Sequence, residues 1–591
     1  MSQSDFPNIR DEMVAIDLET TGLNYYKGDY YFGIAIATSK GKWYYDIRRT
    51  PKIVDYLRDE LPKCRLLCNH NLKFDAHFMP ELLLAPALHC TMIAEALINE
   101  HHLSYSLDNI CKDRMIGKKV DIQWAKDDMI NSPFEMMAEY AAEDALLARD
   151  LCMAQLYDIE DQELEQVMEL EMALFRVLVD IEGWGCPVDI EAAKASIPKL
   201  DALADQTQWE INDLAGVPVN VNSGPQVKSL FSPEKISDTR WRLIDGTIAP
   251  GTKGGSVSLT QDVLRTMTHP LAEKIVRLRK LIKARDTFVK GHVLGYQHEG
   301  VVHTSFNQTR TEFDAGTATG RLSSTSPALQ QISKRDPEFA SIIRSLFIPF
   351  NGHQWLCCDH SQIDFRVAAH LQNDPRVIAN YWDNPKLDYH DLVAKMMNIP
   401  RNPPYAGAPN AKQINLGLQF GAGPGKIAKT MGMPHEIVVK NGIEKYIGGP
   451  EILALFDKYH STLPMTQKFM QRAETVAKSR GFVKTLMGRR LRYPKSQGTH
   501  RAAGHLYQAN AAEVHKTGLI RIHNLLKGTN SRLLVSVHDE IGVSLDPRDT
   551  GLVEEIKRLY CDFQSDDAPF KLRVPVECSA DMGPNWYEAS K

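Results

Sequence analysis

The sequence predicts a multidomain protein built from α/β and α+β units, and three observations carry that expectation. The chain has 591 residues, several times the roughly 150 residues of an average domain. Apolar strand-like runs alternate with helical patterns over residues 1–150, the mark of an α/β layer, and strand-like and helical stretches alternate again toward the C-terminus. Charge is divided along the chain: residues 1–170 hold 30 acidic against 17 basic residues, and the remainder holds 44 against 52. A basic body suits phosphate binding, whereas an acidic front suits divalent metals or a solvated surface.

Charged residues at 24% and hydrophobic ones at 43% exclude wholesale disorder. No uncharged apolar stretch is long enough to span a bilayer, and MSQSDFPNIR lacks the basic-then-apolar order of a secretory signal, so a cytoplasmic protein without membrane contact is expected. Ten cysteines without a CxxC pair are expected to be reduced thiols, mostly buried.

Along the chain, Met13 to Ile16 and Tyr30 to Ala37 read as strands, and Ala141 to Ile181 reads as helix. Gly216 to Ser258 is expected to be an irregular connection. His269 to His292 reads as a helix with Lys274, Arg277, Lys280 and Lys283 three or four apart on one face; a solvated surface helix is the plainer reading. VLGYQHEGVVHTSF reads as a hairpin. There is no internal repeat.

Asp17 and Glu19 lie in VAIDLETTGLN, where strand alternation sends both acids to the same side. A lone DxE is ordinarily a pair of surface acids. Asp75 in CNHNLKFDAHF and Asp144 in EYAAEDALLARDL, four residues after Tyr140, change that reading. Four carboxylates from separate segments can hold two Mg²⁺ ions, and Tyr140 can orient an attacking water.

A second set begins with Asp359, at the end of the apolar strand WLCCD, and continues with Asp539 and Glu540 in LLVSVHDEIGVSL. A buried strand has no structural use for His538, Asp539 and Glu540 together. A tight turn would place the acids at an exposed tip, where Asp539 and Asp359 can meet as a second Mg²⁺ pair. Between them, APNAKQINLGLQFGAGPGK puts Pro409 in the first turn of a helix, with Lys412, Leu416 and Phe420 on one face. A lysine at a helix start suits a polyphosphate; a core helix with a snorkelling lysine is the plainer alternative.

The first three segments resemble the DEDD-class proofreading 3′–5′ exonucleases with a tyrosine in the third motif. That resemblance implies an RNase H-like fold over residues 1–165, with Asp17, Glu19, Asp75 and Asp144 as metal ligands and Tyr140 positioning water. Leu23 and Asn71 match positions that help hold the DNA 3′ end. The motifs TGRLSST (319–325), DHSQIDFR (359–366), AKQINLGLQFG (411–421) and VHDE (537–540), with TLMGRR, YQANAAEVHK and GPNW, resemble family A DNA polymerases in that family's order. The whole chain is similar to bacteriophage replicative polymerases and to the large fragment of bacterial DNA polymerase I, and no separate 5′ nuclease domain is expected, because the exonuclease motif begins at residue 14.

This second resemblance implies a right hand over residues 166–591: thumb about 170–310, palm about 311–375 and 506–591, fingers about 376–505. Asp359 and Asp539 would hold two metals, with Glu540 beside them. Lys412 would bind the triphosphate and protonate pyrophosphate, and His390 would contact the incoming phosphates. Arg321 and Gln508 would touch the minor-groove edge, His538 would lie at the DNA, and the basic helix at Lys274 to Lys290 would hold duplex phosphates. The implied function is a DNA-templated nucleotidyltransferase with proofreading hydrolase activity in phage DNA replication. Mg²⁺ is expected at two ions per site, with Mn²⁺ as a substitute, and primer-template DNA and dNTPs as substrates. Phage helicase-primase and single-strand DNA-binding protein are the expected partners of a monomer in the host cytoplasm. A repair or gap-filling polymerase is the alternative enzyme, and a dead DNA-binding accessory subunit the alternative class.

Several positions depart from the family pattern. Ala408 stands where a fingers arginine is usual, which makes Arg401 the expected substitute for the lost triphosphate contact. Asp364 replaces the glutamate that excludes a ribose 2′-OH, Phe420 replaces its tyrosine partner, and Leu416 replaces an aromatic residue. Gly504 and Ala328 replace asparagines. Because the thumb helices run almost continuously into the hairpin, no thioredoxin-binding insertion is expected.

Overall fold

The computed structural model describes residues 6–102, 104–121, 128–252, 254–309, 318–332, 334, 336–404, 408–419, 421–440 and 443–591. Phe420, half of the expected sugar gate, lies outside the described residues.

The N-terminal sheet has five strands: β1 (Met13–Thr20), β2 (Tyr31–Thr38), β3 (Gly41–Asp46), β4 (Leu66–Asn69) and β5 (Leu88–Cys90), in the order β3-β2-β1-β4-β5. β1 runs antiparallel to β2 and parallel to β4. Both faces are covered, which is why MVAI is an unbroken apolar run. Val14, Ile16 and Leu18 pack into one core, while Met13 and Ala15 pack into another with Tyr140, Ala141 and Ala145 of the helix Phe134–Asp161. Strand alternation therefore puts Asp17 and Glu19 on the face of β1 that this helix covers. The expected continuous helix from Ala141 is broken at residues 162–164, where Glu163 has φ +54°, and resumes as Glu165–Trp184.

The basic helix forms as Pro270–Ile282 and continues as a π-helix over Lys283–Gly295. Residues 216–258, expected to be irregular, instead contain a short helix, Gly224–Ser229, and a three-stranded antiparallel sheet of Glu234–Ser237, Arg240–Arg242 and Ile248–Pro250. Trp241 and Ala249, paired in that sheet, pack beneath it against the helical core, an anchor that the many glycines of the segment concealed.

A four-stranded antiparallel sheet carries the second acidic set. Its order is Arg532–Val537, Glu540–Leu545, Gln354–His360, Cys578–Gly583. Beside it lies the long helix Ala502–Leu526, most of whose residues are buried. All ten cysteines are free thiols and eight are buried. Among the described residues no helix is long and apolar enough to cross a membrane.

Candidate active sites

The first acidic set surrounds a cavity of about 650 Å³. β1 supplies Asp17 and Glu19, the helix Leu72–Phe78 supplies Asp75, and the helix Phe134–Asp161 supplies Tyr140 and Asp144. Asn69, at the end of β4, holds the group together by donating from Nδ2 to Asp17 Oδ1 at 3.0 Å and Asp75 Oδ2 at 2.8 Å. The Leu18 N–H donates to Asp75 Oδ1 at 3.1 Å. Lys119 Nζ lies 2.5 Å from Asp144 Oδ2 and 3.4 Å from the Tyr140 hydroxyl. Sequence reasoning missed both Asn69 and Lys119. Asn69 sits two residues from the Asn71 that the resemblance singled out, and only the direction in which β4 ends decides between them.

Burial and mutual repulsion shape this cluster. Burial, then the Asp144 charge, pushes Asp17 up to about 6. Burial and Asp17 raise both Glu19 and Asp75, and burial raises Asp144. The Tyr140 phenol is raised by burial and the same acids, so it stays protonated. Among the described residues, no three His, Cys, Asp or Glu side chains form a ready-made metal cage; the acids ring the cavity without closing on one point. Their hard oxygen donors nonetheless fit a divalent cation, and among the described residues Asp144 Oδ1 is buried without a hydrogen-bond partner. Asn71 is exposed, with φ +52° at the start of its helix, and lines the cavity; Leu23 is 76% exposed and is not among the lining side chains.

The cavity has a wall that the sequence did not announce. Ser305, Phe306, Asn307 and Gln308, from the strand Ser305–Asn307 and the residue after it, face Asp17 and its neighbours across it. That strand pairs with Ser323–Thr325, two residues beyond Arg321.

In the second set, antiparallel pairing places Asp359 directly opposite Glu540, and the His360 N–H donates to the Asp539 carbonyl at 3.1 Å. His538, in the left-handed region at φ +58°, and Asp539 make the turn between their strands. Burial, then the charges of Asp359 and Asp364, pushes Asp539 up to about 7, and burial raises Asp359. The expectation that Glu540 sits at an exposed tip is corrected: it is 3% exposed, because the pairing that closes the turn draws it into the strand. Its carboxylate accepts from Trp586 Nε1 at 2.6 Å and from Arg344 at 3.0 Å, and the Arg344 guanidinium stacks on Trp586 at 4.3 Å. Lys334 bridges Asp359 and Glu540, a contact the sequence did not signal.

Arg321 binds both oxygens of Asp364, at 2.8 and 3.0 Å, beside Asp539 and His538 in a small cleft. Gln508 is half-buried on the long helix. The helix expected from Pro409 spans Ala411–Gln419, so Pro409 precedes it and Asn410 caps it, accepting from the Gln413 N–H at 2.9 Å. Lys412 is exposed in its first turn, and Leu416 is 36% exposed one turn later. His390 is buried, with Asn415 Nδ2 3.1 Å from Nδ1, and burial lowers its pKa. Arg401 joins this group: its carbonyl accepts from the Lys412 N–H at 3.0 Å, and its guanidinium pairs with Asp388 at 2.8 Å and Asp391 at 3.0 Å. Of the basic stripe, Lys274 pairs with Glu210, Arg277 with Glu338 and Lys280 with Asp336, while Lys283 lies over Phe288.

The family model for DNA polymerase family A matches residues 191–588, and that for the 3′–5′ exonuclease matches residues 6–155. A "DNA polymerase DpoZ" of Salmonella phage PMBT28 is 39% identical over 99% of each chain, and one of Vibrio phage phiVC8 is 34% identical over 98% of this chain and 96% of that one. The thermostable DNA polymerase I of Thermus thermophilus is 29% identical, covering 76% of this chain and 52% of its own. Among solved structures, the polymerase domain of Pol1 from M. smegmatis, in complex with DNA primer-template and dNTP, superposes with a TM-score of 0.81 over 98% of this chain and 96% of that one at 21% identity, which supports the fold. The chain belongs to DNA polymerase family A and carries a 3′–5′ exonuclease domain ahead of its polymerase domain.

Proposed function

We propose that this polymerase extends a primer on a DNA template and excises mispaired 3′ ends, in the service of phage DNA replication, with the division between the two units near residue 165. The reading rests above all on the register that sets Asp359 opposite Glu540 with Asp539 in the adjoining turn, a few side chains from the Arg321–Asp364 pair. In this reading Asp359 and Asp539 hold one pair of Mg²⁺ ions, and Asp17, Glu19, Asp75 and Asp144 hold the other. Magnesium bound there would neutralise charge on the attacking and leaving oxygens of a phosphodiester.

The chain's own groups do the rest. Lys412, in the first turn of its helix, offers a cation to the triphosphate at the positive end of the helix dipole, with His390 behind it. Arg321 and Gln508 lie against the minor-groove edge of the primer terminus, where every correct pair presents acceptors. Glu540 is a positioning residue, held by Arg344 and Trp586, that fixes the turn carrying Asp539. In the exonuclease cavity the Tyr140 hydroxyl holds the attacking water, and Asn71 meets the 3′ nucleotide. The ion-paired Lys274, Arg277 and Lys280 exchange their acidic partners for phosphates when duplex binds.

Separating the two activities tests this assignment. Asp17→Ala with Glu19→Ala is expected to abolish mismatch excision and leave primer extension intact, and Asp359→Asn the reverse. Excision at the wild-type rate in the first variant, or incorporation within about tenfold of wild type in the second, would overturn it.

A further inference from the structure

The exonuclease cavity and the polymerase cleft are joined by one buried carboxylate. Glu171, on the helix Glu165–Trp184, is 1% exposed. It accepts from Gln308 Nε2 through Oε2 at 2.6 Å and through its own backbone carbonyl at 2.9 Å. It is also ion-paired with Lys516 and with Arg489. Gln308 lines the exonuclease cavity. Lys516, itself 1% exposed, lines the cleft that contains Arg321 and Asp539. Arg489 packs so closely on Gly320, the residue before Arg321, that a Cβ there would stand 2.7 Å from the guanidinium carbon.

The same helix grips the same strand a second time. Glu182 lies eleven residues after Glu171, about three helical turns, so both face one way. Glu182 accepts from the Phe306 N–H at 2.6 Å, and from Lys73 at 2.5 Å and His77 at 2.8 Å on the exonuclease side. Two buried glutamates thus pin residues 306–308 to one rigid helix, and the first also pins the floor of the polymerase cleft. Burying several charges in one network is expensive unless each is satisfied. A packing role alone would be served as well by apolar side chains.

We propose that Glu171 is a positioning residue that couples the two sites, so that one carboxylate sets how the primer 3′ end divides between extension and excision. Through Gln308 it fixes the polymerase-side wall of the exonuclease cavity; through Lys516 and Arg489 it fixes the residues behind Arg321 and Asp539. The inference rests on the reading that both sites act on the same 3′ end.

The test uses the full chain with matched and mismatched primer-templates, in single-turnover extension and excision well below the melting temperature. Glu171→Gln is expected to change the ratio of excision to extension on mismatched primers by between about twofold and thirtyfold, the range for residues lying between coupled sites. A role in stability alone would lower the melting temperature and leave that ratio unchanged, which would overturn the proposal. A double-mutant cycle on the same ratio, Gln308→Leu with Lys516→Arg, keeps the proposal testable if Glu171→Gln does not fold. Non-additive effects support the coupling, and additive ones refute it. Loss of the clean separation between Asp17→Ala/Glu19→Ala and Asp359→Asn would instead refute the underlying functional reading, so the two failures are distinguishable.

Discussion

Replacing Glu513 by glutamine should stabilise the protein at alkaline pH and lose that advantage in acid. Glu513 is 1% exposed, and burial, only partly offset by Arg489, pushes its carboxyl from 4.5 up to about 7. For an acid whose folded pKa is raised, the unfolded state releases its proton first. Stability therefore falls as pH rises from about 4.5 to 7, and the full penalty persists above that window. A difference of about 2.5 pH units corresponds to roughly 3 kcal/mol. Glutamine carries no such penalty and keeps an oxygen for the Thr485 hydroxyl at 2.6 Å. It presents an amide where Glu513 Oε2 now accepts from the Met487 N–H at 3.3 Å, which costs about 1 kcal/mol. The net effect is about 2 kcal/mol of stabilisation at pH 8, about zero near pH 5, and about 1 kcal/mol of destabilisation below pH 4. With about 2 cal/mol/K of unfolding entropy per residue over a polymerase domain of about 400 residues, the gain at pH 8 is roughly 2 °C. Paired calorimetric scans of variant and wild type at pH 8 and pH 5 would show it. A shift of the same sign and size at both values would refute the reasoning, since it would mean that Glu513 does not titrate in this window.

Arg401→Ala should raise the apparent KM for dNTP while sparing exonuclease activity, because it removes the guanidinium that pairs with Asp391 and with the Asp388 that caps the His390 helix, beside Lys412; an unchanged KM in steady-state incorporation would remove Arg401 from the triphosphate site. Asp364→Glu should lower ribonucleotide use by roughly tenfold or more, the discrimination worth of one pocket methylene. Competition between dNTP and rNTP in an exonuclease-deficient background measures it, and increased ribonucleotide use would contradict the gate. Leu416→Tyr should improve dideoxynucleotide use, because a phenolic hydroxyl can replace the missing 3′-OH; relative incorporation of ddNTP and dNTP decides the point.

What the sequence revealed and what it hid follow from how far apart the interacting residues lie. The doubly covered β1 was legible because an unbroken run, MVAI, forces burial on both faces, and alternation then fixes where Asp17 and Glu19 point. The turn at His538 and Asp539 was legible because three polar residues interrupt an apolar strand. Asn69, Lys119 and Lys334 were not: each acts on carboxylates supplied by other segments, and nothing local distinguishes such a residue from a surface one. The small sheet at Glu234–Pro250 was hidden because its strands are three or four residues long and mostly exposed, so they show no alternation. Glu540 was misplaced for a related reason. Its partners Arg344 and Trp586 are 196 and 46 residues away in sequence.

The departures at the sugar gate acquire a different meaning once Arg321 is placed. In the family pattern a tyrosine hydroxyl steadies the gating acid. Here Asp364, one methylene shorter, lies within reach of the Arg321 guanidinium and binds it through both oxygens. One guanidinium nitrogen serves both oxygens; a longer glutamate would carry its carboxylate farther from the backbone and would meet that nitrogen in a different orientation. The loss of length at Asp364 and the recruitment of Arg321 are thus consistent with each other, and a gate at Asp364 would have a charged support instead of a neutral one. That support comes from the residue expected at the primer terminus, so under the proposed roles the sugar of the incoming nucleotide and the edge of the last base pair would be read by two side chains that hold each other. On those roles, a distorted primer end that draws Arg321 away would at the same time loosen Asp364 and so would tie sugar selection to the pairing of the preceding nucleotide.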